Sequence, residues 1–243
     1  MRTFLSLVCV LVLSVSVAVS GEKLVAGTNA EFPPFEFTDN DNKIVGFDID
    51  IITAVGKSVG YDVEMRHQVF DTLIESLESK KIDVAISGMT ITDARREKVD
   101  FSDPYYDAAQ VIVVREADAG YTAMDQLKDK KVGVQLGTTG ALMSEEVLGE
   151  NNENLRQFRR YTEVFNELRL RRIDAVVVDL PVAKAFIRRI KGLKISSQPM
   201  SEEQYGIAVK KGNAELLKII NEGLLTIRES GEYDRITEKW FQD

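Results

Sequence analysis

The sequence predicts an α/β fold made of two similar lobes, and two observations predict it. Short apolar runs alternate with segments of helical periodicity along nearly the whole chain, a pattern that places helices on both faces of a sheet. One stretch also recurs 91 residues later: Ile82-Asp83 aligns with Ile173-Asp174, Lys80-Lys81 with Arg171-Arg172, Leu77 with Leu168 and Ile74 with Phe165. Helix, basic pair, Ile-Asp and apolar strand therefore occur twice. The copies end at Gly88 and Asp179. Ligands of open α/β sheets lie beyond the carboxyl ends of the strands, so these two residues are expected on facing walls of one cleft.

Taken in order, the chain opens with a targeting segment. Arg2 precedes an apolar run from Phe4 to Val19, and Ala18-Val19-Ser20 supplies the small residues of a cleavage site, so residues 1–20 read as a signal peptide removed after Ser20. The single cysteine, Cys9, lies inside it and too early for a lipid anchor. Leu24–Ala26 is the first strand, followed by the Phe32-Pro33-Pro34-Phe35 loop. Ile49, Ile52, Val55 and Val59 stand at helical spacing, with Asp48 and Asp50 near the helix start. Asp62–His67 is a strand, Leu73, Ile74 and Leu77 mark a helix, and Asp83–Ser87 is a buried strand. Strands at Gln110–Arg115 and Lys131–Gln135 precede a helix over Thr138–Leu148. Val164, Phe165 and Leu168 mark another helix, Ala175–Val178 a buried strand, and Pro181 the first turn of the next helix. Ile207–Val209 is the last strand, and helices around Ala214–Arg228 and Tyr233–Phe241 finish the chain.

Composition narrows the function. The formal charge is −8, and Arg2 is the only charged residue among the first 20, so the remainder carries −9. A nucleic-acid partner would need a basic face. Without a cysteine after residue 20 there is no disulfide and no thiolate metal site. His67 is the only histidine, falls in a predicted strand and reads as structural. No cofactor and no metal site is expected.

The chemistry concentrates at the predicted strand ends. Ser87-Gly88-Met89-Thr90 is followed at five residues by Arg95, a spacing that lets the guanidinium fold back over the strand end. Gly88 admits close backbone approach, Thr90 offers a hydroxyl and an N–H, and Arg95 can grip a carboxylate in a bidentate fashion. Asp179 closes the run Ala175-Val176-Val177-Val178, where a carboxylate can cap the next helix or accept from an ammonium. Gly137-Thr138-Thr139-Gly140 lies between a strand and a helix, whose free N–H groups suit an anion. No lysine follows in P-loop spacing, so a carboxylate fits better than a phosphate.

On these residues the chain resembles the polar amino-acid binding proteins of ABC importers. The matching stretches are NAEFPPFEF (29–37), IVGFDIDI (44–51), DVAISGMTIT followed by AR (83–95), VDFSDPYYD (99–107), VGVQLGTTG (132–140), IDAVVVD (173–179), QYGIAV (204–209) and GEYDRITEKWF (231–241). The resemblance implies a periplasmic-binding-protein-like fold, with residues 22–106 and 206–243 forming lobe 1 and residues 109–203 lobe 2. A two-segment hinge near 105–109 and 202–206 would close the lobes on a ligand in the cleft between them. It also implies that Arg95 grips the ligand carboxylate, that Thr90 meets the α-amino and carboxyl groups, and that the Gly88 carbonyl and Asp179 hold the ammonium. Thr139, beside Thr138, would offer a backbone N–H to the carboxylate. Phe32 and Phe70 would sandwich the side chain, with Met89 on the same site segment. Asn29, Glu31 and Gln135 stand where the side-chain end is read, and two rings with these polar groups suit a planar guanidinium. Arginine is the expected ligand, with glutamine second and other basic amino acids third. The implied partners are a membrane permease and its ATPase, and the implied state is an exported monomer without catalytic residues. Two other readings stay open: a dehydratase of cyclohexadienyl acids with Glu31 as proton donor, and a detached sensor subunit.

Overall fold

The computed structural model describes residues 22–241. The signal segment, its cleavage site and Cys9 lie outside the described residues. Two five-stranded sheets dominate. The first runs, in spatial order, Tyr61–His67, Glu22–Thr28, Val84–Ala85, Ala208–Lys210 and Val99–Phe101. The second runs Leu155–Phe158, Val132–Gln135, Ala175–Asp179, Gln110–Arg115 and Leu193–Ile195. In each, the first three strands are parallel and the fourth runs antiparallel to both the third and the fifth. The two lobes therefore share one topology.

The 91-residue repeat is realised atom for atom. Lys80 and Arg171 both adopt the left-handed conformation after a helix, at φ of 58° and 60°. The Asp83 carboxylate accepts the Val25 N–H at 2.8 Å, and the Asp174 carboxylate accepts the Lys131 N–H at 2.9 Å. Each aspartate thus satisfies a backbone N–H on the neighbouring parallel strand or just before it. Ile82 packs over Gly27, where a Cβ would lie 2.4 Å from its Cδ1. Ile173 packs over Gly133 at the same 2.4 Å. Both glycines let a crossing isoleucine press onto a central strand.

Helices cover both sheets. Phe47–Ser58 buries Phe47, Ile51, Ile52 and Val55 against the first sheet, and Ala214–Glu229 and Glu232–Trp240 pack against that helix and each other. On the second sheet, Tyr161–Arg169 buries Tyr161, Val164, Phe165 and Leu168, and Phe165 stacks on Phe186 of Leu180–Arg189 at 4.1 Å between ring centroids. The predicted strand over Asp83–Ser87 is only two residues long, because Asp83 turns to the neighbouring strand and the chain after Ile86 leaves the sheet. Leu155–Phe158, Val99–Phe101 and Leu193–Ile195, which periodicity does not reveal, complete the sheets as short edge strands.

Two crossings join the lobes. Tyr106–Ala108 pairs antiparallel with Glu203–Tyr205 in a two-stranded ribbon. Each crossing strand runs straight on into the first antiparallel strand of a sheet, Gln110–Arg115 in one case and Ala208–Lys210 in the other.

A Cβ at Gly27 has one serious clash, the Ile82 Cδ1. Gly27→Ala should therefore cost about 1–3 kcal/mol by overpacking. Ile82→Val removes that methyl, so the double variant should lose clearly less than the two single losses added together. Urea unfolding of the three variants reads this directly, and simple additivity would show that the pair is not in the contact described.

Candidate functional site

The carboxyl ends of the two sheets face each other across a cavity. Ten of the twelve residues singled out in the sequence line it: Asn29, Phe32, Phe70, Gly88, Thr90 and Arg95 on one side, and Gln135, Thr138, Thr139 and Asp179 on the other.

Arg95 sits on the one-turn helix Asp93–Arg96, started by Thr92, whose hydroxyl accepts the Arg95 N–H at 3.2 Å. The side chain folds back and is only 8% exposed. Its Nη1 donates to the Thr90 carbonyl at 2.6 Å and its Nη2 to the Gly137 carbonyl of the opposite wall at 2.9 Å. The guanidinium lies over the Phe70 ring, 5.4 Å from its centroid. Burial lowers its pKa to about 10 against the opposing pull of Glu203 and Asp179, so it stays charged at neutral pH.

Asp179 ends its strand and starts the helix Leu180–Arg189, but its side chain makes no capping hydrogen bond there. The capping role is corrected: Oδ1 instead accepts from the Tyr205 hydroxyl at 2.6 Å. Burial, with the nearby Glu203 charge, lifts the Asp179 pKa to about 7. Thr138 is the cap of the helix Thr139–Leu148, accepting the Ala141 N–H at 3.2 Å. Gly88 has φ of +52°, and a Cβ there would fall 2.8 Å from the Phe32 ring. At the far end of the cavity Gln135 Nε2 donates to Asn29 Oδ1 at 3.0 Å, joining the walls through two amides.

Residues 24–243 match the sequence profile of the bacterial extracellular solute-binding proteins, family 3. The chain belongs to that family. A Neisseria gonorrhoeae protein named "Probable histidine-binding protein" is 37% identical over 224 residues, 91% of this chain and 84% of its own length. The arginine-binding extracellular protein ArtP of Bacillus subtilis is 35% identical over 90% of this chain and 86% of its own. Among solved structures, an ancestral arginine-binding protein bound to arginine is 46% identical with a TM-score of 0.88, covering 92% of this chain and 100% of that one. The same ancestral protein bound to glutamine gives 46% and 0.86, with 91% and 98% covered.

Two of the predicted residues stand apart from the cavity of this solute-binding protein. Met89 is buried in the core beside Leu73, Ile82 and Phe101, because the chain turns at Gly88, whose φ is +52°, and carries the Met89 side chain away from the cavity. Glu31 lies outside the lining and pairs with Arg160 across the cleft mouth at 3.3 Å. Burial raises its pKa, and Arg160 opposes that shift.

Sequence reasoning missed Glu36 and Ser87 in the lining, and Glu203 behind it. Ser87 donates to Glu36 Oε1 at 2.8 Å and accepts the Asn29 N–H at 2.9 Å. Asp48, taken as a helix-start acid, is fully buried beneath this floor. Its Oδ2 accepts the Gly88 N–H at 2.7 Å and the Tyr105 hydroxyl at 2.8 Å. The alternation that puts Glu203 on the same strand face as buried Tyr205 was the signal available for Glu203. Among the described residues no cluster of His, Cys, Asp or Glu could hold a metal ion, and no helix is long and apolar enough to cross a membrane.

The buried acids set a pH dependence. Burial raises Glu36 well above the carboxylate range and Asp48 to about 6. The folded protein keeps these protons where the unfolded chain, at about 4, has released them. Unfolding free energy should therefore fall as pH rises through about 4 to 6 for Asp48, and on to about 7 for Asp179. Asp48→Asn keeps an acceptor for Gly88 and Tyr105 and should flatten the slope between pH 4 and 6 in urea midpoints. An unchanged slope would show that Asp48 is not the group holding the proton.

Proposed function

We propose that this protein binds one free L-amino acid, arginine foremost, by closing residues 22–106 and 206–243 against residues 109–203, and hands it to an ABC-importer permease driven by its ATPase. The observation that carries the reading is a cavity between the lobes with a buried guanidinium and a buried carboxylate on opposing walls. A zwitterion complements that pair, its carboxylate at Arg95 and its ammonium at Asp179. The free N–H groups at the start of Thr139–Leu148 add donors for the carboxylate, and the Gly88 carbonyl an acceptor for the ammonium. Phe32 and Phe70 offer aromatic faces to a flat cation, and Glu36 adds a carboxyl to the wall. The Asn29–Gln135 amide pair at the far end is what supports glutamine as the second reading. Delivery to an importer follows the family, as does export through a cleaved residue 1–20 leader. The role is binding without catalysis, as a monomer.

Protein freed of bound ligand by unfolding and refolding should melt higher with arginine than with glutamine, histidine, lysine, ornithine or citrulline. At 100 times the dissociation constant the gain is about 2.7 kcal/mol, roughly 5–10 °C for a chain of this size. A larger shift with glutamine would keep the fold and move the ligand, and no shift with any amino acid would end the reading. Arg95→Ala should weaken binding by about 2–5 kcal/mol, some 30-fold to several-thousand-fold. A loss under about threefold is the result that would remove Arg95 from the site.

A further inference from the structure

Glu203 belongs to neither sheet. It lies on the crossing strand Glu203–Tyr205, which pairs with Tyr106–Ala108 between the lobes. Its carboxylate is nevertheless buried, and its polar partners are all neutral. Oε2 accepts the Thr90 hydroxyl at 2.6 Å and the Thr139 hydroxyl at 2.9 Å, and the Gln110 amide approaches it at 3.5 Å. Oε1 accepts the Ser201 hydroxyl at 3.0 Å. Thr90 and Thr139 stand on opposite walls of the cavity. One oxygen from the hinge therefore ties a hydroxyl of each lobe.

The chemical consequence lies in the protons. A threonine hydroxyl has one proton and two lone pairs, and a carboxylate only accepts. With both protons committed to Glu203, Thr90 and Thr139 can show only lone pairs to whatever fills the cavity. Thr139 spends part of that capacity on the Gln110 amide at 3.2 Å. Two hydroxyls that might each have turned to donate toward a carboxylate are fixed as acceptors.

We propose that Glu203 is a positioning residue that sets this polarity, so that the Thr90 and Thr139 hydroxyls accept from a ligand ammonium and discriminate against molecules lacking one. This rests on the amino-acid reading and assigns a hinge residue to its selectivity. Glu203→Gln keeps the shape but brings an N–H₂ that donates, which frees a hydroxyl proton to point into the cavity. Glu203→Asp keeps the charge on a shorter reach.

The test measures affinities by calorimetry for the amino acid giving the largest melting shift and for its des-amino analogue: arginine with 5-guanidinopentanoate, or glutamine with glutaramate. Glu203→Gln should weaken the amino acid about 10- to 100-fold and the analogue less than about threefold. Glu203→Asp should recover part of the preference. Equal losses for both ligands in Glu203→Gln, or no loss, would overturn the proposal. Should Glu203→Gln not fold, Thr139→Val decides in the same way, since it removes one of the two acceptors and should narrow the preference. If the wild-type protein binds no amino acid at all, the functional reading fails and the proposal falls with it. Wild-type binding with unchanged preference in the variants sinks the proposal alone.

Discussion

A buried guanidinium held between two lobes is the constraint that the rest of the cleft serves. Desolvating Arg95 is expensive unless its donors are met. Two are met by carbonyls, one from each wall, and the cation's field is balanced by Asp179 and Glu203. The Phe70 face covers the remaining side without competing for hydrogen bonds. Because the Gly137 carbonyl belongs to the far wall, the full set of partners exists only when the lobes are together. Closure and satisfaction of this charge are one event, and a ligand carboxylate delivered to the same guanidinium would bias the same equilibrium.

The floor under that site is stiff for a related reason. Gly88 must approach Phe32 and Tyr205 more closely than any side chain would allow, so its backbone needs a fixed support. Asp48 supplies it by accepting the Gly88 N–H, and Tyr105 fixes Asp48 in turn. Aromatic packing carries the support to the hinge: Phe35 meets Tyr106 and Tyr205 edge-on at 4.9 and 5.1 Å, and Phe47 packs on Tyr105 and Tyr106. Crossing strands anchored in such a cluster give the lobes a defined axis rather than a loose linker.

Much of this was legible in the sequence where local chemistry decides position. The repeated Ile-Asp pair was legible because it recurs in the sequence, although its aspartates meet backbone N–H groups 58 and 43 residues away. Arg95 and Thr90 were legible because a five-residue spacing lets the guanidinium fold back over the strand end, where it donates to the Thr90 carbonyl. The missed features depend on distant partners. Asp48 looks like a helix-start acid by spacing, and only the fold brings Tyr105 and Gly88 to it across 57 and 40 residues. Glu203 reaches Thr90 across 113 residues. Met89 was misplaced because the motif was read as a block, although the left-handed turn at Gly88 sends its side chain into the core.

The repeat also explains why the cleft is polar in a directed way. Gly88 and Asp179 are equivalent positions of the repeat: Gly88 follows the third strand of its sheet, and Asp179 is the last residue of the third strand of the other. In the first lobe that strand stops after two residues, and the freed chain presents backbone groups and then Arg95 to the cavity. In the second it continues for five residues and presents a carboxylate. Two copies of one architecture have diverged where the third strand of each reaches the cavity. The strand that ends early yields a cationic wall, and the strand that runs on yields an anionic one. A dipolar guest is then selected in orientation as well as in charge. Turning it end for end would place like charges together inside a buried space, where screening by water is weakest.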